Sequence, residues 1–107
     1  MNIYLSDVLE SIEKIEEYMK GVGNKTFSKD TQLQDSVMRR LEIIGEAVKS
    51  IPSDFRSKHP EIEWKKVAGM RDVLIHSYFG VNLERVWIVV KEDLPVLKKN
   101  IKAILKK

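Results

Sequence analysis

The chain has 107 residues, 43% apolar and 33% charged, with a formal net charge of +3. That is the length of one domain and a globular balance, sufficient for a single helical core and unlike a disordered chain. The absence of cysteine excludes disulfides and thiolate metal sites, and no apolar run approaches the roughly 20 residues that span a bilayer.

Residues 3 to 20 carry apolar side chains at Leu5, Val8, Leu9, Ile12, Ile15 and Met19. This is the three-and-four spacing of one helix face, with acids on the other. Asp7, Glu10 and Glu13 interrupt any signal-peptide core, so the expected compartment is the cytoplasm. Gly21-Val22-Gly23-Asn24 predicts the stop, because glycine and asparagine accept left-handed conformations. Ser28 or Asp30 can cap a second helix with apolar positions Leu33, Val37, Leu41, Ile44, Val48 and Ile51. A short polar loop between the two predicts an antiparallel hairpin. Pro52 ends the second helix or opens a short turn, and residues 53 to 63 read as a helical turn and a loop. A third helix is predicted over residues 63 to 77, with Trp64, Val67, Ala68, Leu74 and Ile75 available for burial, and Gly80 as a stop. Asn82 can cap the last helix, in which Val86, Val89, Val90, Leu94, Leu97, Ile101 and Ile104 recur at helical spacing. Pro95 predicts a kink or split within it. The expected fold is one all-α domain over residues 1–107, an up-and-down bundle of four main helices plus a short helical turn.

Charge is distributed unevenly. Asp7, Glu10, Glu13, Glu16 and Glu17 crowd the first helix, whereas Lys98, Lys99, Lys102, Lys106 and Lys107 end the chain without an acid among them. Such a surface attracts a polyanion at one end and repels it at the other; solvated helix faces are the plainer explanation.

The densest chemistry lies in Arg71-Asp72-Val73-Leu74-Ile75-His76-Ser77-Tyr78. An imidazole titrates near neutrality, a guanidinium stays charged, and a phenol offers a hydroxyl, a set suited to a phosphodiester. Residues five apart on a helix are rotated by about 140°, so Arg71 and His76 do not share one face. Asp72 and His76, four apart, do, and the carboxylate can raise the imidazole's basicity. A symmetric dimer would bring two arginines and two histidines into one cleft. By themselves these residues leave His76 open as a helix-terminal imidazole and Tyr78 as a buried ring. His59, beside Pro60, has no companion at metal-ligand spacing and reads as a surface residue. Glu42 and Glu46, near Arg39, Arg40 and Lys49, read as solvated ion pairs. Gly45, costing about 1 kcal/mol inside a helix, predicts a close approach there. Trp64 and Trp87 read as core or interface anchors. With no phosphate-binding glycine loop and no metal-binding cluster, the expected catalysis is metal-independent and uses no cofactor.

Several of these segments occur together in one known family. The chain resembles the HepT-like branch of the HEPN superfamily, the toxins of HepT/MntA-type (type VII) toxin–antitoxin pairs. The resemblance rests on Leu41-Glu42-Ile43-Ile44-Gly45-Glu46-Ala47, on Trp64, and on Gly69-Met70-Arg71-Asp72 running into His76-Ser77-Tyr78. It continues through Val86-Trp87 and Leu94-Pro95-Val96-Leu97. It implies a homodimeric, metal-independent endoribonuclease with RNA as substrate. His76 would be the general acid/base and Arg71 the phosphate-holding group, both lining the dimer cleft. Asp72 stands where the family favours a polar residue, often asparagine. Tyr78 matches the tyrosine to which the cognate MntA-type nucleotidyltransferase antitoxin adds AMP. A different class of function, a non-catalytic helical subunit presenting nucleotide or RNA to a nucleotidyltransferase, uses the same basic motif to bind phosphate without cutting.

Overall fold

The computed structural model describes residues 3–70 and 83–106, and all regular structure among them is helical. In chain order the elements are α1 (Ile3–Met19), α2 (Asn24–Lys29), α3 (Thr31–Lys49), α4 (Ser53–Lys58), α5 (Trp64–Ala68) and α6 (Leu83–Ile88). A π-helical turn (Val89–Asp93) then leads into α7 (Leu94–Leu105). The all-α expectation stands, although the short helices outnumber the single turn predicted.

The apolar stripes meet as their spacing requires. Leu5, Val8, Ile12, Ile15 and Met19 of α1 are buried with Val37, Leu41, Ile44 and Val48 of α3. Val86, Val89, Val90, Leu94, Leu97, Ile101 and Ile104 close the same core from the C-terminal helix. Each fully buried aliphatic side chain contributes about 1.5–3 kcal/mol relative to exposure. Tyr4 and Asp7, near the start of α1, share a cleft with Ala47 and Ser50, at the end of α3, so the two helices run antiparallel.

The α1 stop falls where predicted: Gly21 takes a φ of 74°, the left-handed conformation that glycine accepts without steric cost. The polar loop predicted after it is instead α2. A six-residue helix with one apolar side chain, Phe27, has no periodicity to read. Tertiary contacts hold it: Phe27 is 1% exposed, its ring lies 5.8 Å from that of Trp87, and its carbonyl accepts a 2.8 Å hydrogen bond from the buried Gln34 Nε2. Asp30 then does the predicted capping. Its carboxylate accepts from the Leu33 N–H at 3.0 Å, while its own N–H bonds back to Thr26 and Phe27 of α2.

Pro52 opens α4, which ends at His59 before Pro60. The helix expected over residues 63 to 77 begins where predicted, at Trp64, but is interrupted early. The α-helical run from Trp64 closes at Ala68, and Gly69, a costly residue in a helix, forms a turn. Residues 71 to 77 of that expectation, the Gly80 stop and the Asn82 cap lie outside the described residues.

Ahead of Pro95 the regular α-helix is interrupted by the π-helical turn, Val89–Asp93. The flanking residues Ile88, Asp93 and Leu94 keep right-handed helical dihedrals, and the turn between them widens to π, with the Leu94 N–H reaching back five residues to the Val89 carbonyl. α7 is tied to α1 by Lys98, whose Nζ donates to Glu16 Oε1 at 2.7 Å. That hydrogen bond raises the Lys98 pKa above the ordinary lysine value; partial burial opposes it, and the charges of Glu16 and Glu13 reinforce it.

Two outcomes follow from these contacts. Asp30→Ala should lower stability by about 1 kcal/mol in urea denaturation, with Asp30→Asn keeping most of it, because only the cap acceptor is lost. Glu16→Gln should cost less than about 1 kcal/mol near neutrality, as a partly exposed pair does. A raised lysine pKa stabilises fully below the ordinary value of about 10.4 and loses that contribution as pH rises through the raised value. The stability gap between wild type and Glu16→Gln should therefore hold from neutral pH to about 10 and close above it. A gap unchanged into strong alkali would refute an ionic origin.

Candidate active site

The four residues read as a site from the sequence, Arg71, Asp72, His76 and Tyr78, lie outside the described residues. The structure describes what brackets and surrounds their segment. On its N-terminal side Met70 is 3% exposed and belongs to the core. On its C-terminal side Leu83 starts α6 and packs partly buried against the same core.

The remaining candidates take largely structural places. His59 Nδ1 stands 3.4 Å from Glu61 Oε2, and its ring centroid lies 4.6 Å from that of Phe55. Its carbonyl accepts the Trp64 indole N–H at 2.8 Å, so the loop ahead of α5 is pinned through the backbone of His59. Trp64 also meets Phe55 edge-on at 6.4 Å. Trp87 is half-buried, with the Lys91 ammonium 4.9 Å from its ring centroid. Arg39 pairs with Glu42 at 3.4 Å on the exposed side of α3, the solvated ion pair expected there. Glu46 is exposed on the same helix, and Gly45 is buried.

Clefts that indent the described surface include three between helices. One of about 330 Å³ lies between the start of α1 and the end of α3, among Tyr4, Asp7, Arg39, Glu42 and Glu46. The other two flank the long C-terminal helix on opposite sides. On the α5 side, about 260 Å³ is bordered by Glu61, Glu63, Asp93 and Lys66, with Met70 and Leu97 also in its lining. Lys66 bridges Asp93 at 3.3 Å and Glu63 at 3.8 Å, leaving that side acidic overall. On the α1 side, about 300 Å³ is bordered by Lys20 and Lys91 above apolar side chains. Sequence reasoning did not find this second pair, because its two lysines come from distant elements and share no spacing. Among the described residues no group of three or more His, Asp or Glu is placed to hold a metal, and no helix is long and apolar enough to cross a membrane.

A small all-α domain whose sequence carries an arginine–histidine motif between Met70 and Leu83, both packed in the core, defines the class. Residues 8–104 match the family described as Ribonuclease HepT-like, and the chain belongs to that family of ribonucleases. It is 53% identical over 95 residues to "Probable ribonuclease HepT" of Thermococcus cleftensis, covering 89% of this chain and 86% of that one. It is 47% identical over 104 residues to a "Putative RNase" of Caldanaerobacter subterraneus subsp. tengcongensis, covering 97% and 93%. It is 52% identical over 105 residues to a "Gamma-glutamylcyclotransferase and putative RNase" of Methanocaldococcus jannaschii, covering 98% of this chain but 47% of that one. The chain therefore spans about half the length of this last relative. No solved structure gives a significant match.

Proposed function

We propose that the chain is a metal-independent endoribonuclease, acting in the cytoplasm as the toxin of a toxin–antitoxin pair and working as a homodimer. The observation that carries this reading is the family match over residues 8–104, which includes Arg71 and His76 at their four-residue interval. His76 takes the proton of an RNA 2′-hydroxyl as that oxygen attacks the adjacent phosphorus. The P–O5′ bond breaks, a proton passes to the departing 5′-oxygen, and one fragment ends in a 2′,3′-cyclic phosphate. Arg71 holds the phosphate and offsets the charge that builds on it. Asp72, four residues before His76, orients the imidazole. On a helix Arg71 and His76 would be rotated apart by about 140°, which is the reason for invoking two copies, since a dimer cleft lets the groups of both converge.

Tyr78 is the proposed switch. A cognate nucleotidyltransferase would transfer AMP from a nucleoside triphosphate to the phenolic oxygen, releasing pyrophosphate. The added phosphate places negative charge two residues from His76, where it repels RNA.

In chelator, purified protein should cut RNA to cyclic-phosphate ends, and His76→Ala should slow cutting by about 10²–10⁴-fold, the usual range for a lost acid–base group. Undiminished cutting by that variant would remove His76 from the site. On co-expression with the cognate nucleotidyltransferase, intact-mass and peptide analysis should find AMP increments at Tyr78 and none in Tyr78→Phe. AMP found on another residue would refute the switch.

A further inference from the structure

We infer that the cleft between the end of α1 and the π-helical turn is a nucleotide subsite for the RNA strand, built from residues other than Arg71 and His76. The inference rests on the ribonuclease reading for the identity of the strand, but its geometry is independent of Arg71 and His76. The floor is apolar, made by Ile15 and Met19 of α1 and by Val90, Leu94 and Pro95 of the C-terminal helix. The rim carries Lys20 from the last residue after α1 and Lys91 from the π turn, both exposed. Glu16 also reaches this rim, but its carboxylate accepts the Lys98 ammonium at 2.7 Å, which offsets its charge. A void of about 300 Å³ is at the lower end of the range for small-ligand pockets. An apolar floor beneath two cations suits one splayed base with the phosphates on either side of it, the combination used in single-strand recognition.

Comparison with the opposite flank of the same helix decides the sign of the ligand. There the lining holds Glu61, Glu63 and Asp93 against the single Lys66. A strand of phosphates is repelled on that side and attracted on the α1 side. The π turn itself is part of the construction: it carries Lys91 and Val90 into the cleft, and π turns recur at functional sites. Lys91 also lies over the Trp87 ring, which holds the ammonium at the cleft's edge without consuming its charge.

The same chemistry fits a free mononucleotide, and the test separates the two. A fluorescent 2′-O-methyl oligouridylate, which lacks the attacking hydroxyl, is titrated with wild type and with a Lys20→Gln/Lys91→Gln variant across a salt series. Each single-strand phosphate contact contributes about 0.7 to the log–log salt slope, so removing two should lower it by about 1.4. With cleavable RNA the variant should show a raised KM on an oligomer and an unchanged kcat, and no change in either on a dinucleotide. Equal slopes and equal KM values would overturn the subsite. So would a variant that loses kcat on the dinucleotide, since the lysines would then act at the reacting phosphate. Lysine-dependent binding of free AMP with an unchanged oligomer slope would assign the cleft to mononucleotides and refute the RNA assignment. Wild type that binds the oligomer through these lysines yet cuts no RNA would leave the subsite standing and sink the ribonuclease reading instead. Melting curves of the variant should lie close to wild type, because both lysines are exposed and Lys91 gives up only its contact with the Trp87 ring.

Discussion

Pro95 cannot donate a backbone hydrogen bond, and in a regular α-helix its ring would collide with the carbonyl of Lys91. The protein meets this constraint by widening the preceding turn to π rather than by breaking the helix, and the Leu94 N–H bonds to Val89 instead. Residues 83–105 consequently stay one continuous element. Everything around the candidate site depends on that continuity. Leu83, and Leu97, which shares a cleft with Met70, lie on either side of the π turn within that element. A break at Pro95 would uncouple the two.

The same helix separates charge. Lys91 and Lys98 lie toward α1, and Asp93 lies toward α5. Screening in physiological salt decays over about 8 Å, so a phosphate responds to the cleft it enters more than to the molecule's formal +3. The acid-rich first helix does not contradict binding of a polyanion. Glu16 is matched by Lys98, and Glu13 helps to keep that lysine charged. The uneven charge seen along the chain is thus partly internal pairing between the first and last helices.

The long elements were legible because their cores are periodic. Every apolar position read for the last helix is buried, as are Leu5, Val8, Ile12, Ile15 and Met19 of α1. Asp30 was legible because a cap has a chemistry independent of distant contacts. α2 was not, since Phe27 acquires its meaning only from Gln34 and Trp87. The π turn was half legible. Val86, Val90, Leu94 and Leu97 keep ordinary helical spacing across it, so Pro95 alone signalled a disturbance and could not say which kind. The motif from Arg71 to Tyr78 was legible as chemistry, and its rotation on a helix argued for a second copy. The lysines of the α1-side cleft were invisible for the opposite reason: their chemistry is ordinary, and only packing brings Lys20 and Lys91 together.

Asp72 sharpens what that packing must accomplish. In the proposed site a carboxylate adjacent in sequence to Arg71 would orient His76, but it would also set a negative charge near the phosphate to be cut. At about 4 Å such a charge is worth about 1 kcal/mol in water and several times more where water is excluded. A site with this penalty gains from holding the strand elsewhere, on cations that do not take part in the reaction. Contacts of that kind raise affinity without lowering the chemical barrier, so they offset Asp72 in binding and leave to Arg71 and His76 the stabilisation that belongs to the transition state alone. The division of labour between a basic flank and a mixed-charge motif is therefore what the proposed reaction demands of this sequence.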